Sequence, residues 1–258
     1  MVLRKRTLII VGVTTALLLA VLHMYIQSTL RGNVNALEAV ETRRNAEVAL
    51  RTLRETVSYL EGTCGDWAVW DATYSFVQHP NSEYIVSNLN RATFLNLGIN
   101  LMLFVDTNGK VVYGKAFDLH DGVETPLPDM GEYLAPGGRL LRHESLDSSV
   151  SGFVLLPEGP MMVASRPILN GQFVGPMGGT LVMGYYLHDS SIRRLEGVLG
   201  LSISMLGVDD PGLPGDFRRS VAFKQSIDEV FVIHSKAHTA SAYAIVRDVH
   251  GDPIFALR

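Results

Sequence analysis

Cysteine is nearly missing from this sequence. A single one, Cys64, in 258 residues excludes an intrachain disulfide framework and any multi-cysteine zinc or iron–sulfur centre, although a lone thiol does not fix the compartment. An excess of positive charge is missing too. Against 26 Asp+Glu stand 22 Lys+Arg, a net of −4, which offers no basic footprint for nucleic acid. Motifs of the common enzymes are absent as well: there is no G-x-x-x-x-G-K-[ST] loop to cradle phosphates, no G-x-S-x-G elbow, no H-E-x-x-H helix and no calcium loop of EF-hand spacing. Of the eight histidines only His234 and His238 lie four apart, in a stretch that alternates like a strand and a loop, so no metal is expected, and no cofactor either. What the chain does have is apolar content. At 47% hydrophobic and 19% charged it can offset the entropy of ordering and is not a disordered chain.

Part of the positive mean hydropathy, +0.18, sits at one end. Thr7–Ile26 is a run without Asp, Glu, Lys or Arg, and about 20 residues at 1.5 Å each span roughly 30 Å, one hydrocarbon core. Arg4, Lys5 and Arg6 precede it and only Arg31 follows closely, so the positive-inside rule puts the N-terminus in the cytoplasm and everything from about Gln27 outside. A cleaved signal peptide is the alternative, but His23-Met24-Tyr25-Ile26-Gln27 supplies no small-x-small site. Setting aside the three basic residues of the stub leaves 19 basic against 26 acidic, an acidic exterior unsuited to nucleic acid.

From Ser28 to Glu61 there is no proline, and only Gly32 interrupts good helix formers. Ala46, Leu50, Leu53, Val57 and Leu60 line one face at helical spacing. An earlier stripe, Leu30, Val34 and Leu37, is out of phase, and its continuation falls on Glu41 and Arg44. The offset predicts two partners for one helix: a second copy near the membrane, making a homodimer, and the body of the domain further out.

Past Gly62 and Gly65 the chain turns aromatic and acidic, and both tryptophans fall within four residues. Were Asp66–Val77 one helix, Asp66 and Trp70 would share a face, with Trp67, Asp71 and Tyr74 on the adjacent one. Two indoles, a phenol and two carboxylates there form a candidate pocket for an apolar or cationic ligand. The alternative is structural: tryptophans in the core, and aspartates that cap a helix or pair with Arg91 or Arg166. Cys64 has no basic partner in sequence and reads as a small buried residue. Ser82–Asn90 reads as a short helix or an extended crossing. Leu101–Val105, the turn Asp106-Thr107-Asn108-Gly109 and Lys110–Tyr113 predict a β-hairpin, with the strand pattern fading after Gly114. Asp118–Asp147 is broken by proline and glycine and is expected to be a long connection with a short helix or two. Strands are expected again at Gly152–Leu156, Met161–Ile168 and Gly179–Leu187, then a helix over His188–Gly200, then strands at Leu201–Leu206, Ser220–Lys224, Val230–His234, Ser241–Arg247 and Pro253–Leu257. Residues 104–112 and 245–254 echo each other as strand, Asp-containing turn, strand. A generic hairpin gives the same pattern.

The stretch Asp66–Val77, followed by Tyr84-Ile85 and Asn88-Leu89, resembles the signature of the CHASE4 family of extracytoplasmic sensor domains. Asn100–Tyr113, Ser165-Arg166-Pro167-Ile168 and Gly179–Gly184 continue the likeness, which covers about Leu50 to Leu199. The resemblance implies an α+β, Cache/PAS-like sensor with an antiparallel sheet packed on a long helix that continues from the transmembrane helix. It also implies output through histidine kinase or cyclic-dinucleotide (diguanylate cyclase or phosphodiesterase) modules inside, and brings no defined ligand. One departure stands out: a second transmembrane helix and output modules are expected after such a sensor, yet Leu257-Arg258 closes a strand, so this stretch is expected to be the sensory portion of a longer protein or a stand-alone product. The resulting division is a cytoplasmic stub (1–6), a transmembrane helix (7–26), a membrane-proximal helix (27–65), a sensor core (66–199) and a C-terminal strand-rich part (200–258). The expected partners are the membrane, a small-molecule ligand or partner protein, and a second copy. The expected ligand-binding residues are Asp66, Trp67, Trp70, Asp71, Tyr74 and Arg166, with no catalytic residue. A membrane-anchored extracytoplasmic hydrolase and a ligand-free assembly subunit are the alternatives.

Overall fold

In the computed structural model, which describes residues 2–135, 137–173, 175–215, 217–218, 230–234 and 240–258, one helix organises everything else. Helix α1 runs without interruption from Val2 to Ala68, about 100 Å at 1.5 Å per residue, three residues beyond the expected Gly65. Its far half buries Ala49, Leu50, Leu53, Val57, Leu60, Cys64 and Ala68, the expected stripe extended by one and two further turns. Leu37, Val40 and Tyr59 stand exposed on other faces. Among the described residues no helix is long and apolar enough to cross a membrane; the side chains of 7–11, part of the expected span, lie outside the described residues.

Two antiparallel sheets lie on α1, where one was expected. The first holds six strands: β1 (Leu101–Asp106), β2 (Val111–Asp118), β3 (Val123–Thr125), β4 (Val150–Leu156), β5 (Gly159–Ile168) and β6 (Gly179–Tyr186), in the order β3-β2-β1-β6-β5-β4. The hairpin expected at 101–113 is β1–β2, and β2 carries on to Asp118 because Ala116, Phe117 and Asp118 pair with β3. Its central strands are covered on both sides, which is why Leu101–Val105 reads as an unbroken apolar run. Met102, Phe104, Met162, Ala164, Leu181 and Met183 point toward α1, alongside α2 (Asp71–Gln78), α3 (Ser82–Asn88) and α4 (Arg91–Leu97). Leu101, Leu103, Val105, Met161, Val163 and Val182 point the other way, onto the 126–149 connection with its two short 3₁₀ turns at Gly131–Leu134 and Arg139–Leu141. Asn81 and Asn90 cap α3 and α4 by accepting from Tyr84 N and Thr93 N, so the 82–90 stretch resolves as a helix and a second short helix follows it.

Helix α5 (Asp189–Leu199) lies where the spacing predicts it and ends at Gly200, φ +66. The second sheet follows: β7 (Met205–Gly207), β8 (Val230–His234), β9 (Ala240–Arg247) and β10 (Pro253–Leu257), in the order β7-β10-β9-β8. The strand expected at Leu201–Leu206 shrinks to β7, whose register with β10 begins only at Met205; the strand expected at Ser220–Lys224 lies outside the described residues. Ala242, Ala244, Val246, Phe255 and Leu257 face α1, and Tyr243, Ile245 and Ala256 face Leu213 and Phe217. The sheets meet where Phe153 of β4 packs edge-on against Phe255, 5.8 Å between rings, and Val249 N donates to Phe153 O.

Candidate functional site

Helix α1 stops at Ala68 with neither proline nor glycine to stop it. The Ala68 carbonyl accepts from Leu169 N at 3.0 Å, a residue just past β5, and Trp70 then takes an extended conformation (φ −110, ψ 128) as the N-cap of α2. The single helix supposed over 66–77 is therefore broken at Trp70, and the candidate residues separate. Trp67 packs half-buried against the main core, its ring edge-on to Trp70 at 5.8 Å. Trp70 is 42% exposed and leans on Tyr84 at 6.1 Å. Asp71 opens α2, where a carboxylate favours the helix dipole, and its Oδ1 accepts from Gly171 N at 2.7 Å. Tyr74 donates through its hydroxyl to Pro176 O at 3.2 Å, and its ring lies against Gly178, where an added Cβ would come within 3.0 Å. Asp71 and Tyr74 thus hold the 169–178 loop between β5 and β6.

Asp66 and Arg166 are brought together. They line a cavity of about 560 Å³ between α1 and β5, with Ser58, Glu61, Gly62, Gly65, Val69 and Phe173. The cavity is a notch in the helix. Gly62 and Gly65 fall on one face at i, i+3, and a helix-interior glycine costs about 1 kcal/mol relative to alanine, yet a Cβ at Gly62 would meet nothing within 4 Å. At Gly65 a Cβ would stand 3.3 Å from Arg166 Nε and 3.5 Å from Nη2, so that edge of the guanidinium faces bare helix backbone. Nη1 is spoken for: it donates to Asp147 O at 3.2 Å and to Ser148 O at 3.5 Å. Asp66 is exposed and has no hydrogen bond or ion pair among the described residues. Across the mouth, the loop that Asp71 and Tyr74 hold presents Phe173, 67% exposed and at φ +58, a left-handed conformation uncommon for a bulky residue.

Glu61 ties the same stretch of α1 to the edge strand β4. Its two oxygens accept from Ser149 Oγ at 2.5 Å and Ser151 Oγ at 2.6 Å. Those two hydrogen bonds, aided by Arg166, hold its carboxyl below the usual glutamate range, so it is an anion at neutral pH. Sequence reasoning missed Glu61, Gly62, Gly65 and Phe173. The one signal available was the pair of glycines three apart inside a helical pattern, which reads more readily as the end of a helix than as a hollow in it. Cys64, between them, is buried, with its thiol pushed upward by desolvation, as expected of an inert packing residue.

On the opposite face of the sheet His143 is embedded in a polar pair. Its Nε2 and Nδ1 lie 3.1 Å from Ser165 Oγ and from Ser148 Oγ. The Ser165 and Ser148 hydroxyls also donate to Leu140 O and Ser145 O. Burial, with a smaller push from Arg166, lowers the His143 pKa to about 4; the ring is neutral at physiological pH. It borders a smaller cavity of about 250 Å³ shared with Asp106, Asn108, Gly137 and Thr180.

This architecture is that of extracellular sensor domains. The chain superposes on the extracellular domain of vpHK1S-Z8, assigned as a histidine kinase, with a TM-score of 0.56 at 16% identity, covering 88% of this chain and 92% of that one. It superposes on a domain of a Vibrio parahaemolyticus protein assigned to the sensory box/GGDEF family with a TM-score of 0.54 at 15% identity, covering 86% and 96%. Residues 52–206 match the CHASE4 domain, and the chain belongs to that family; it is a sensory domain of a signal-transduction protein. Over 257 residues it is 27% identical to the methanogenesis regulatory histidine kinase FilI of Methanothrix harundinacea (strain 6Ac), a match that takes in all of this chain and 28% of that protein. The chain thus spans little more than a quarter of that relative's length.

Proposed function

We propose that this chain is the outward-facing sensory portion of a membrane receptor, anchored through residues 7–26 with its N-terminus in the cytoplasm, and that it reads a small molecule in the cavity between α1 and β5. The carrying observation is the position of that cavity: it is cut into the same unbroken helix that runs back toward the anchor, so an occupant touches the signalling rod directly. The anchor reading rests on exposure. Every described side chain from 12 to 26 is exposed, among them Leu17, Leu18, Leu19, Val21 and Leu22, an apolar surface all round a helix that water does not favour and a bilayer does. Leu37 and Val40, exposed on α1 beyond it, are where a second copy packs. Asp66 and Arg166 contact the ligand, while Asp71 and Tyr74 act at one remove by positioning the loop that bears Phe173. By analogy with the named relatives, the output is a histidine kinase or a cyclic-dinucleotide enzyme.

The test is disulfide cross-linking of Leu37→Cys in the full chain reconstituted in nanodiscs, with and without a pooled set of small metabolites. The expected result is a covalent dimer whose rate of formation changes with the same pools that raise the melting temperature. Monomer throughout, or a rate and a melting temperature that no pool alters, counts against the receptor reading.

A further inference from the structure

The charges around the notch select the ligand's chemistry. Arg166 offers one donor edge, Nε with Nη2, while Nη1 is held by two main-chain carbonyls. That edge is the two-pronged one that matches a carboxylate, and it lies over Gly65, the position where a side chain would cover it. Two carboxylates share the cavity with it. Glu61 has both oxygens occupied by serine hydroxyls, whereas Asp66, one residue past Gly65, has none occupied among the described residues. A ligand that is only an anion would satisfy Arg166 and be repelled by Glu61 and Asp66; one that is only a cation would leave the Arg166 edge unpaired. Val69 and Phe173 supply the remaining apolar wall.

We propose, resting on the reading of this cavity as the sensory site, that it binds a small zwitterion: a carboxylate on the Nε/Nη2 edge of Arg166, a protonated nitrogen on Asp66, and an apolar side group against Val69 and Phe173. An L-amino acid has this layout. Binding is non-covalent and leaves the ligand's protonation unchanged. The hydrogen bonds at both ends are charge-assisted, so neither end is dispensable.

The experiment is a thermal-shift and calorimetric titration of the full chain in detergent micelles with the proteinogenic L-amino acids. For leucine, 4-methylpentanoate lacks only the nitrogen and 3-methylbutylamine lacks only the carboxylate; corresponding analogues are used for whichever amino acid binds best. The expected result is a dose-dependent rise in melting temperature with at least one amino acid, at least tenfold weaker binding of each single-group analogue, and loss of the response in Arg166→Gln and Asp66→Asn. Gly65→Ala is the steric probe: the added methyl, 3.3 Å from Nε, covers the guanidinium edge and loses the response, and its unliganded melting temperature, read beside that of the wild type, shows that it folds. An analogue lacking nitrogen that binds as tightly as its parent overturns the proposal, as does a response that survives Gly65→Ala. If no amino acid acts but a metabolite pool still shifts the wild type and not Gly65→Ala, the zwitterion is wrong and the sensory cavity stands. If nothing shifts, both fall.

Discussion

The two sheets share a plan and differ in size and in how deeply their described strands are buried. In the first, β1 is flanked by β6, which continues to β5 and β4; in the second, β7 is flanked by β10, which continues to β9 and β8. Both are antiparallel, and each run of four places the first strand beside the last. Each lays one face on α1. The turns that drew attention in the sequence are also alike. Asp106 Oδ1 accepts from Asn108 N and Lys110 N, Asp248 Oδ1 accepts from His250 N and Asp252 N, and Gly109 and Gly251 follow at φ +80 and +90. Yet the first turn joins β1 to β2 and the second joins β9 to β10, so they occupy non-equivalent places in the shared plan. The echo in residues is turn chemistry; the echo in strand order is architecture that the residues do not advertise. Between β3 and β4 a connection covers the outer face of the first sheet with Met130, Tyr133 and Leu140, and Leu213 and Phe217 lie on the outer face of the second. The described strands of the first are the more deeply buried: Leu101, Phe104 and Val163 are each 0% exposed, whereas Tyr243 and Ile245 keep 7% and 9%. A deeply buried sheet suits a rigid wall for a binding cavity.

The sharpest way to break this contrast is Phe104→Ala. Phe104 is fully buried in the first sheet and meets Phe76, Tyr84 and Tyr113, so its removal costs about 3–5 kcal/mol, read by urea denaturation; the truncation of the half-buried Ile233 in the second sheet costs less than half of that. A proton separates the two halves next. His143 belongs only to the first sheet's shell, and its pKa is lowered on folding to about 4, so the unfolded chain takes up the proton first. The stability gained by keeping the ring neutral is complete above the ordinary histidine range and drains away as pH falls from about 6.5 to about 4. Melting curves over that window should fall by a few degrees, and His143→Gln should flatten that part of the slope. The mildest cut is at the seam. Tyr133 donates to Asp248 Oδ2 at 3.1 Å and accepts from Leu155 N at 3.3 Å, so Tyr133→Phe costs about 0.5–1.5 kcal/mol. A double-mutant cycle with Asp248→Ala gives the coupling across the sheets; a coupling of zero means that the contact joins nothing.

Much of the first sheet was legible because its signals are local. The Asn-Gly turn at 108–109, the apolar run at 101–105 and the breakers between 126 and 138 each act within a few residues. Helix α5 announced itself the same way, through Ile192 and Leu195 on one face and a glycine after its end. The second sheet was harder, since β7 has three residues and its identity as a strand comes from pairing with β10 about fifty positions later. Of the candidate residues, Asp66 and Arg166 line one cavity, but the arrangement drawn for their neighbours assumed one helix through Trp70. What ends that helix is a hydrogen bond from Leu169, a hundred residues away, and no local pattern carries it. The glycines were visible and misread, because a hollow in a helix becomes a site only when another strand supplies its far wall.

The notch has a mechanical side. Glycine frees the backbone, and two of them within one turn make residues 62–65 the softest place along the far half of a rod about 100 Å long. Glu61, braced on Ser149 and Ser151 of the sheet edge, pins the rod just before that compliant turn. An occupant between Gly65 and Arg166 acts there as a splint, and stiffening at that point is felt as leverage at the opposite end of the rod.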